Sequence, residues 1–254
     1  SEFLQKKLAG QEPGIVNELH YRAGSWFRER GDIREAMEHF LTGEWYDEAV
    51  RLMGELLPAM VAQDWETLKY WMETVPSRHL RTDPELFLAY TFFCVAAGMD
   101  RNLADGLIRQ GDGLCGIAGQ PEGKIRECAA SLAFIKALYA MKYRFDTAEA
   151  AEQMRICASL APEDVLLERI DVYPGEMSIL RTFQFMEPNF AKLEAFFRSI
   201  MRFWNQDRPN VFFGMCFVGY GELLIEQDRL EEAESYIRQG LKIAEDGKSA
   251  KLFA

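Results

Sequence analysis

Long apolar runs are missing from this 254-residue chain; none approaches the roughly 18 uninterrupted residues that a membrane span requires. The N-terminus lacks the charged-then-apolar layout of a secretion signal. Positive charge is in the minority, with 29 Lys and Arg against 40 Asp and Glu. Such a chain repels a phosphate backbone, so direct nucleic-acid binding is not expected. A 48% hydrophobic content excludes a disordered chain, and the length fits one large domain or two small ones. C-x-x-C pairs are absent, and the five cysteines (Cys94, Cys115, Cys128, Cys157, Cys216) are an odd number. Each lies in an apolar segment, the setting of buried reduced thiols, which places the chain in a reducing cytoplasm.

Chemistry-bearing motifs are equally scarce. His20, His39 and His79 never recur at metal-ligand spacing, and packing explains helical histidines at such positions. No Ser, His and Asp grouping suggests a nucleophile. The stretch Ala118–Ile125 narrowly misses a phosphate-binding loop, because Ile125 stands where a Ser or Thr must hold magnesium. The expectation is a chain that is not an enzyme and holds neither metal nor cofactor. The basic groups Arg28, Arg30, Arg34 and Arg78, His79, Arg81 read as solvated faces.

Helical periodicity, by contrast, runs from end to end. Ile33, Ala36, Met37, Phe40 and Leu41 form one apolar stripe, and Leu230, Ala233, Ile237, Leu241 and Ala244 form another. Asp32, Asp64, Asp100, Asp146, Glu187 and Asp228 stand four or five residues before Ala36, Leu68, Ala104, Ala150, Ala191 and Ala233. An Asp there is a good N-cap because its carboxylate accepts the orphan amide protons of the first turn, and a Glu three residues later completes a capping box for Asp32, Asp146 and Asp228. Spacings between the inner residues are 32, 36, 46, 41 and 42, the range of a helix-pair solenoid. About six pairs follow: 15–30 with 32–42, 45–62 with 64–75, 84–98 with 100–111, 122–144 with 146–160, 172–186 with 188–206, and 208–227 with 229–246. The fold expected is all-α, a TPR-like right-handed superhelix. Glycine-rich 111–123 and the stretch 170–175 are expected to be longer connections.

One stretch carries more. Leu19-His20, Ala23, Trp26-Phe27, then Gly31, Glu35-Ala36-Met37 and His39, resemble the segment that follows the ATPase module in MalT-like regulators. These are LuxR-class bacterial transcription activators built on a STAND-type NTPase. The resemblance continues through Gly43–Ala49, Leu68–Pro76, Pro84-Glu85-Leu86 and Ala96-Ala97-Gly98. Residues 1–14, opening Ser1-Glu2-Phe3, are expected to be a vector scar and lead-in, and the resemblance implies 15–83 as the first helical repeats and 84–254 as the effector-binding superhelix. It also implies flanking NTPase and DNA-binding modules outside this fragment, and a small-molecule inducer or regulatory protein as partner. The alternative is a TPR scaffold that binds a peptide or partner protein.

Groove-lining positions of such units follow from helical geometry. They fall on Leu132, Ile135, Tyr139, Lys142 and Tyr143; on Tyr173, Glu176, Leu180, Phe183 and Gln184; and on Met215, Val218, Glu222, Ile225 and Glu226. Tyr139, Lys142, Tyr143, Tyr173, Glu176, Phe183, Glu222 and Glu226 are the ligand-binding candidates, aromatic surfaces beside charges suited to a polar ligand.

Overall fold

The computed structural model describes residues 13–115, 122–144, 146–160, 180, 189–202 and 211–246. Among these every regular element is helical: twelve α-helices and one π-helical turn. The chain divides into two compact units, Ser1–Tyr90 and Thr91–Ala254.

The first unit holds α1 (Pro13–Glu29), α2 (Ile33–Thr42), α3 (Tyr46–Gln63), α4 (Trp65–Thr74) and a short α5 (Ser77–Leu80) that sequence periodicity did not anticipate. α1 packs on α2, α2 on α3, and α3 on α4. α6 (Pro84–Ala97) carries the chain from the first unit into the second. The second continues with α7 (Arg101–Leu114), α8 (Glu122–Tyr139) with its π turn Ala140–Arg144, α9 (Thr147–Leu160), α10 (Phe190–Met201), α11 (Val211–Glu226) and α12 (Leu230–Asp246). α8 packs on α9, α9 on α10, α10 on α11, and α11 on α12. Gly111 and Gly113 lie inside α7 and Gly123 inside α8, so the connection there is shorter than expected. Residues 170–175 lie outside the described residues.

One local rule sets the register. The residue four after each N-cap donates the first intrahelical hydrogen bond back to the cap carbonyl and is buried: Ala36 after Asp32, Leu68 after Asp64, Ala104 after Asp100, Ala150 after Asp146. Asp64, Asp100 and Asp146 also cap with their side chains, whereas Asp32 does not. Two expected caps are corrected by the same rule. α10 starts at Asn189, whose Oδ1 accepts from Ala191 N at 3.0 Å and Lys192 N at 3.2 Å, so the inner residue is Leu193 and Ala191 is exposed. Arg229 takes the cap position of α12, four before the buried Ala233.

Asp228 instead closes α11. Its φ is 59°; its N–H donates to Ile225 O at 3.0 Å, and Arg229 N donates to Leu224 O at 2.9 Å. That paired closure, with a left-handed residue between, satisfies carbonyls that a helix end leaves open. Gly31, Glu44 and Gly98 sit in the same closure after α1, α2 and α6. Asp32, Trp45 and Arg229 each end one closure and cap the next helix, which turns the chain back with hardly a residue of loop.

The core of the second unit gathers Ala137, Met141, Met154, Leu193, Phe196, Phe197, Ile200, Tyr220, Leu224 and Ala233. Buried Tyr220 carries the polar fastening between α10 and α11. Its hydroxyl donates to Glu194 Oε1 at 3.1 Å and accepts from Arg198 Nε at 2.9 Å, and Arg229 reaches the same carboxylate at 3.3 Å. These partners hold the Glu194 carboxyl below its usual range although its burial pushes the other way. No helix among the described residues is long and apolar enough to cross a membrane.

Candidate functional site

α8 is where the chain departs from regular geometry. Its sequence is apolar around much of its circumference, and such a helix is buried on most sides. Leu132, Ile135 and Tyr139 are accordingly packed in the interior rather than facing a groove. At Tyr139 the helix passes into the π turn 140–144, a one-turn widening that recurs at functional sites because it re-aims the side chains it carries.

The turn holds three of the candidates together. Tyr139 and Tyr143 stack with ring centroids 4.9 Å apart and planes 21° from parallel. The Arg144 guanidinium stands 5.1 Å from the Tyr139 ring. Tyr143 donates its hydroxyl to Met99 O at 2.8 Å, and Lys142 donates through Nζ to Ala96 O. Ala96 lies in the last turn of α6 and Met99 two residues beyond it, across the helix closure in which Gly98 takes φ 73°. Gly98 has a second reason to be glycine: a Cβ there would stand 3.2 Å from Lys142 Cε. Lys142 therefore supplies a cation to the negative end of a helix, satisfying a carbonyl the closure leaves open. Burial depresses the Lys142 ammonium pKa. Burial, with Cys94, Tyr139 and Asp100 nearby, raises that of the Tyr143 phenol.

The third member is different. Tyr139 is 4% exposed, and its hydroxyl has no hydrogen-bond partner, alone in that condition among the buried side-chain nitrogens and oxygens described. Buried polar groups are nearly always paired, and an unpaired one costs about 1–3 kcal/mol. Two tyrosines four residues apart thus behave oppositely on truncation. Tyr143→Phe removes a hydrogen bond and is expected to lower stability by about 1 kcal/mol. Tyr139→Phe removes an orphan and is expected to leave stability unchanged or raise it by about 1 kcal/mol. Chemical denaturation of the two variants checks the contrast.

The remaining candidates sit elsewhere. Glu222 and Glu226 lie on α11, on the face with Met215, Val218 and Ile225 that is less buried than the Cys216, Phe217, Tyr220 and Leu224 face. Glu222 accepts the Leu180 backbone N–H at 2.6 Å. Tyr173, Glu176 and Phe183 lie outside the described residues, as does Gln184. In the near-miss phosphate loop, Lys124 pairs with Glu127 at 3.1 Å within α8.

Sequence reasoning left the histidines as packing residues but did not foresee that two would meet. His20 Nδ1 and His39 Nδ1 are 2.9 Å apart between α1 and α2, with Phe27 stacked on the His39 ring. Burial, and then His39, depresses the His20 pKa below 6.5. A base whose folded pKa is depressed takes up its proton more readily when unfolded. Stability is therefore expected to hold above pH 6.5, to fall as pH drops through that value, and to level off below the folded pKa. His20→Gln is expected to flatten that portion of a stability-against-pH curve relative to the parent. Four of the six side chains in the basic groups are engaged locally: Arg28 on Glu55 at 2.7 Å, Arg34 on Asp64 at 3.5 Å, Arg30 over the Trp26 ring at 4.0 Å, and His79 on Asp47 at 2.7 Å. Among the described residues no three His, Cys, Asp or Glu side chains gather as metal ligands.

No protein-family model matches the chain, and no curated protein or solved structure matches it either.

Proposed function

We propose that this chain is the effector-sensing region of a LuxR-class, ATP-dependent transcription regulator of the MalT-like kind. In this reading the helix pairs stack as a TPR-like right-handed superhelix, and the π turn of α8 is its responsive element. The carrying observation is the buried, unpaired Tyr139 hydroxyl, stacked on a tyrosine whose own hydroxyl holds the end of α6. A ligand that hydrogen-bonds Tyr139 completes a network left one partner short. It does so beside Lys142 and Tyr143, the two side chains that fasten α6. Ligand binding then favours one arrangement of the α6 end over another, and it shifts that balance only by its differential affinity for the two. The flanking modules of the parent protein read the shift as a change in oligomerisation and DNA binding. The chain itself contacts neither nucleic acid nor membrane in this account, and works in the cytoplasm without a cofactor.

A thermal-shift screen against sugars, amino acids, aromatic acids and short peptides tests the reading. A small molecule at about 100 times its dissociation constant should add roughly 2.7 kcal/mol of stability. A shift with peptides or a partner protein alone would move the assignment to a scaffold. One observation favours that second reading: Ile15, Leu19 and Trp26, at helical spacing on α1, are 49%, 45% and 48% exposed. Their stripe is the kind of surface onto which a partner helix docks.

A further inference from the structure

Cysteines scattered singly through the sequence do not stay single in the fold. Cys115 follows the last residue of α7, with its N–H on Gly111 O at 3.2 Å. Cys128 lies in the second turn of α8. The Cys128 side chain comes within interaction range of the Cys115 thiol. Lys136 of α8 binds Asp112 of α7 at 2.6 Å, which holds the two helices side by side next to this pair. Exposure grades the pair. Cys115 is half-buried and reachable from solvent, and Cys128, 8% exposed, stands behind it. Cys94, Cys157 and Cys216 are buried as well, which leaves Cys115 the most accessible thiol of the five.

We propose that Cys115 and Cys128 form an oxidisable dithiol, which a peroxide converts to an intramolecular disulfide joining the end of α7 to α8. The Cys115 sulfur, as thiolate, attacks one peroxide oxygen. The O–O bond breaks, the released oxide takes up a proton and leaves as water or alcohol, and Cys115 becomes a sulfenic acid. Cys128 then attacks that sulfur, the S–O bond breaks, and the hydroxide departs with the Cys128 proton as a water molecule. Two thiols lose two electrons and two protons, and the peroxide is reduced by the same two electrons. Closure requires the two sulfurs to approach to a bond of about 2.05 Å. The rate is set by the thiolate fraction. The neighbouring thiol, burial and Asp112 hold Cys115 protonated above its ordinary range, against the opposing charge of Lys136. The pair is therefore inert in a reducing, neutral cytoplasm and closes slowly under sustained peroxide, faster as pH rises. The bond would fix the α7–α8 junction that precedes the π turn.

The test treats the whole chain with hydrogen peroxide at pH 7 and pH 9, alkylates free thiols after denaturation, and maps peptides without reduction. The expected result is a linked peptide pair carrying Cys115 and Cys128, three alkylated cysteines where the reduced protein has five, and faster formation at pH 9. Cys115→Ser is expected to keep its four remaining thiols, and Cys128→Ser to stop at a Cys115 sulfenic acid with no linked peptide pair. Five free thiols after oxidation would overturn the proposal. So would links to Cys94, Cys157 or Cys216, links between two chains, or Cys115 oxidised to sulfinic acid with Cys128 left free.

Discussion

Phe197→Ala is expected to cost the second unit about 3–5 kcal/mol, the range for emptying a buried aromatic site. Phe197 is fully buried in the middle of α10, with its ring 5.7 Å from Phe196 and 6.3 Å from Tyr220. Its neighbours in the core come from α8, α9, α11 and α12, so no single helix can move in to fill the space. Part of the loss is the transfer energy of the ring and part is the cavity that rigid neighbours leave behind. Phe197 and the core around it lie in the second of the two compact units. Hydrogen exchange should therefore show protection falling in α8 to α12 while α1 to α4 keep theirs. A uniform loss across both units would contradict that division.

Gly240→Ala is expected to destabilise by about 1–3 kcal/mol, the cost of overpacking, although Ala is favoured over Gly in a helix by about 1 kcal/mol. The sign turns on a close approach. A Cβ at 240 would stand 2.7 Å from Val218 Cγ2, 2.9 Å from Gly214 O and 3.2 Å from Phe217 Cβ. A side chain can swing away, but the Gly214 carbonyl is backbone of α11, so relief requires α11 and α12 to separate. Gly221 makes the matching contact, its Cβ position 2.4 Å from Ile237 Cγ1. Gly106→Ala in α7 is the control, because nothing lies within 4 Å of its Cβ position. That variant is expected to gain about 0.5–1 kcal/mol from helix propensity alone. Urea unfolding of the two alanine variants should move in opposite directions; a shared direction would show that close glycine packing does not set the α11–α12 distance.

Much of this architecture is written locally. The helix pairs are legible because a polar cap, a buried residue four later and an apolar stripe recur through the chain, and all three are short-range signals. Asp228 misleads for a physical reason: the same short carboxylate side chain that caps a helix start also tolerates the left-handed backbone that closes a helix end. The error then propagates by one residue, which is why Ala233 looked five residues from its cap instead of four. Leu230 and Leu241 continue the periodic stripe of α12, yet they are exposed, and Gly240 and Ile243 are the buried residues. Small residues mark close helix contact but carry no hydrophobic signal, so periodicity passes over them. On α8 the sequence named Tyr139, Lys142 and Tyr143 for a groove by repeat geometry. Their meeting is observed, but the groove geometry does not account for it. A π turn and the open carbonyls of α6 set their directions, and neither is encoded in a spacing pattern. The Cys115–Cys128 contact needs tertiary register and was invisible for the same reason.

The most direct measurement of the account is the ligand-induced thermal shift of Tyr139→Phe beside the parent, using the first small molecule that stabilises the parent. The variant lacks one oxygen and keeps its stacking on Tyr143, so its unliganded fold is expected to melt no lower than the parent. The account predicts that the shift collapses to near zero at the same ligand concentration. A full shift in Tyr139→Phe would contradict it, because the effector would then be held without the buried hydroxyl on which the reading rests.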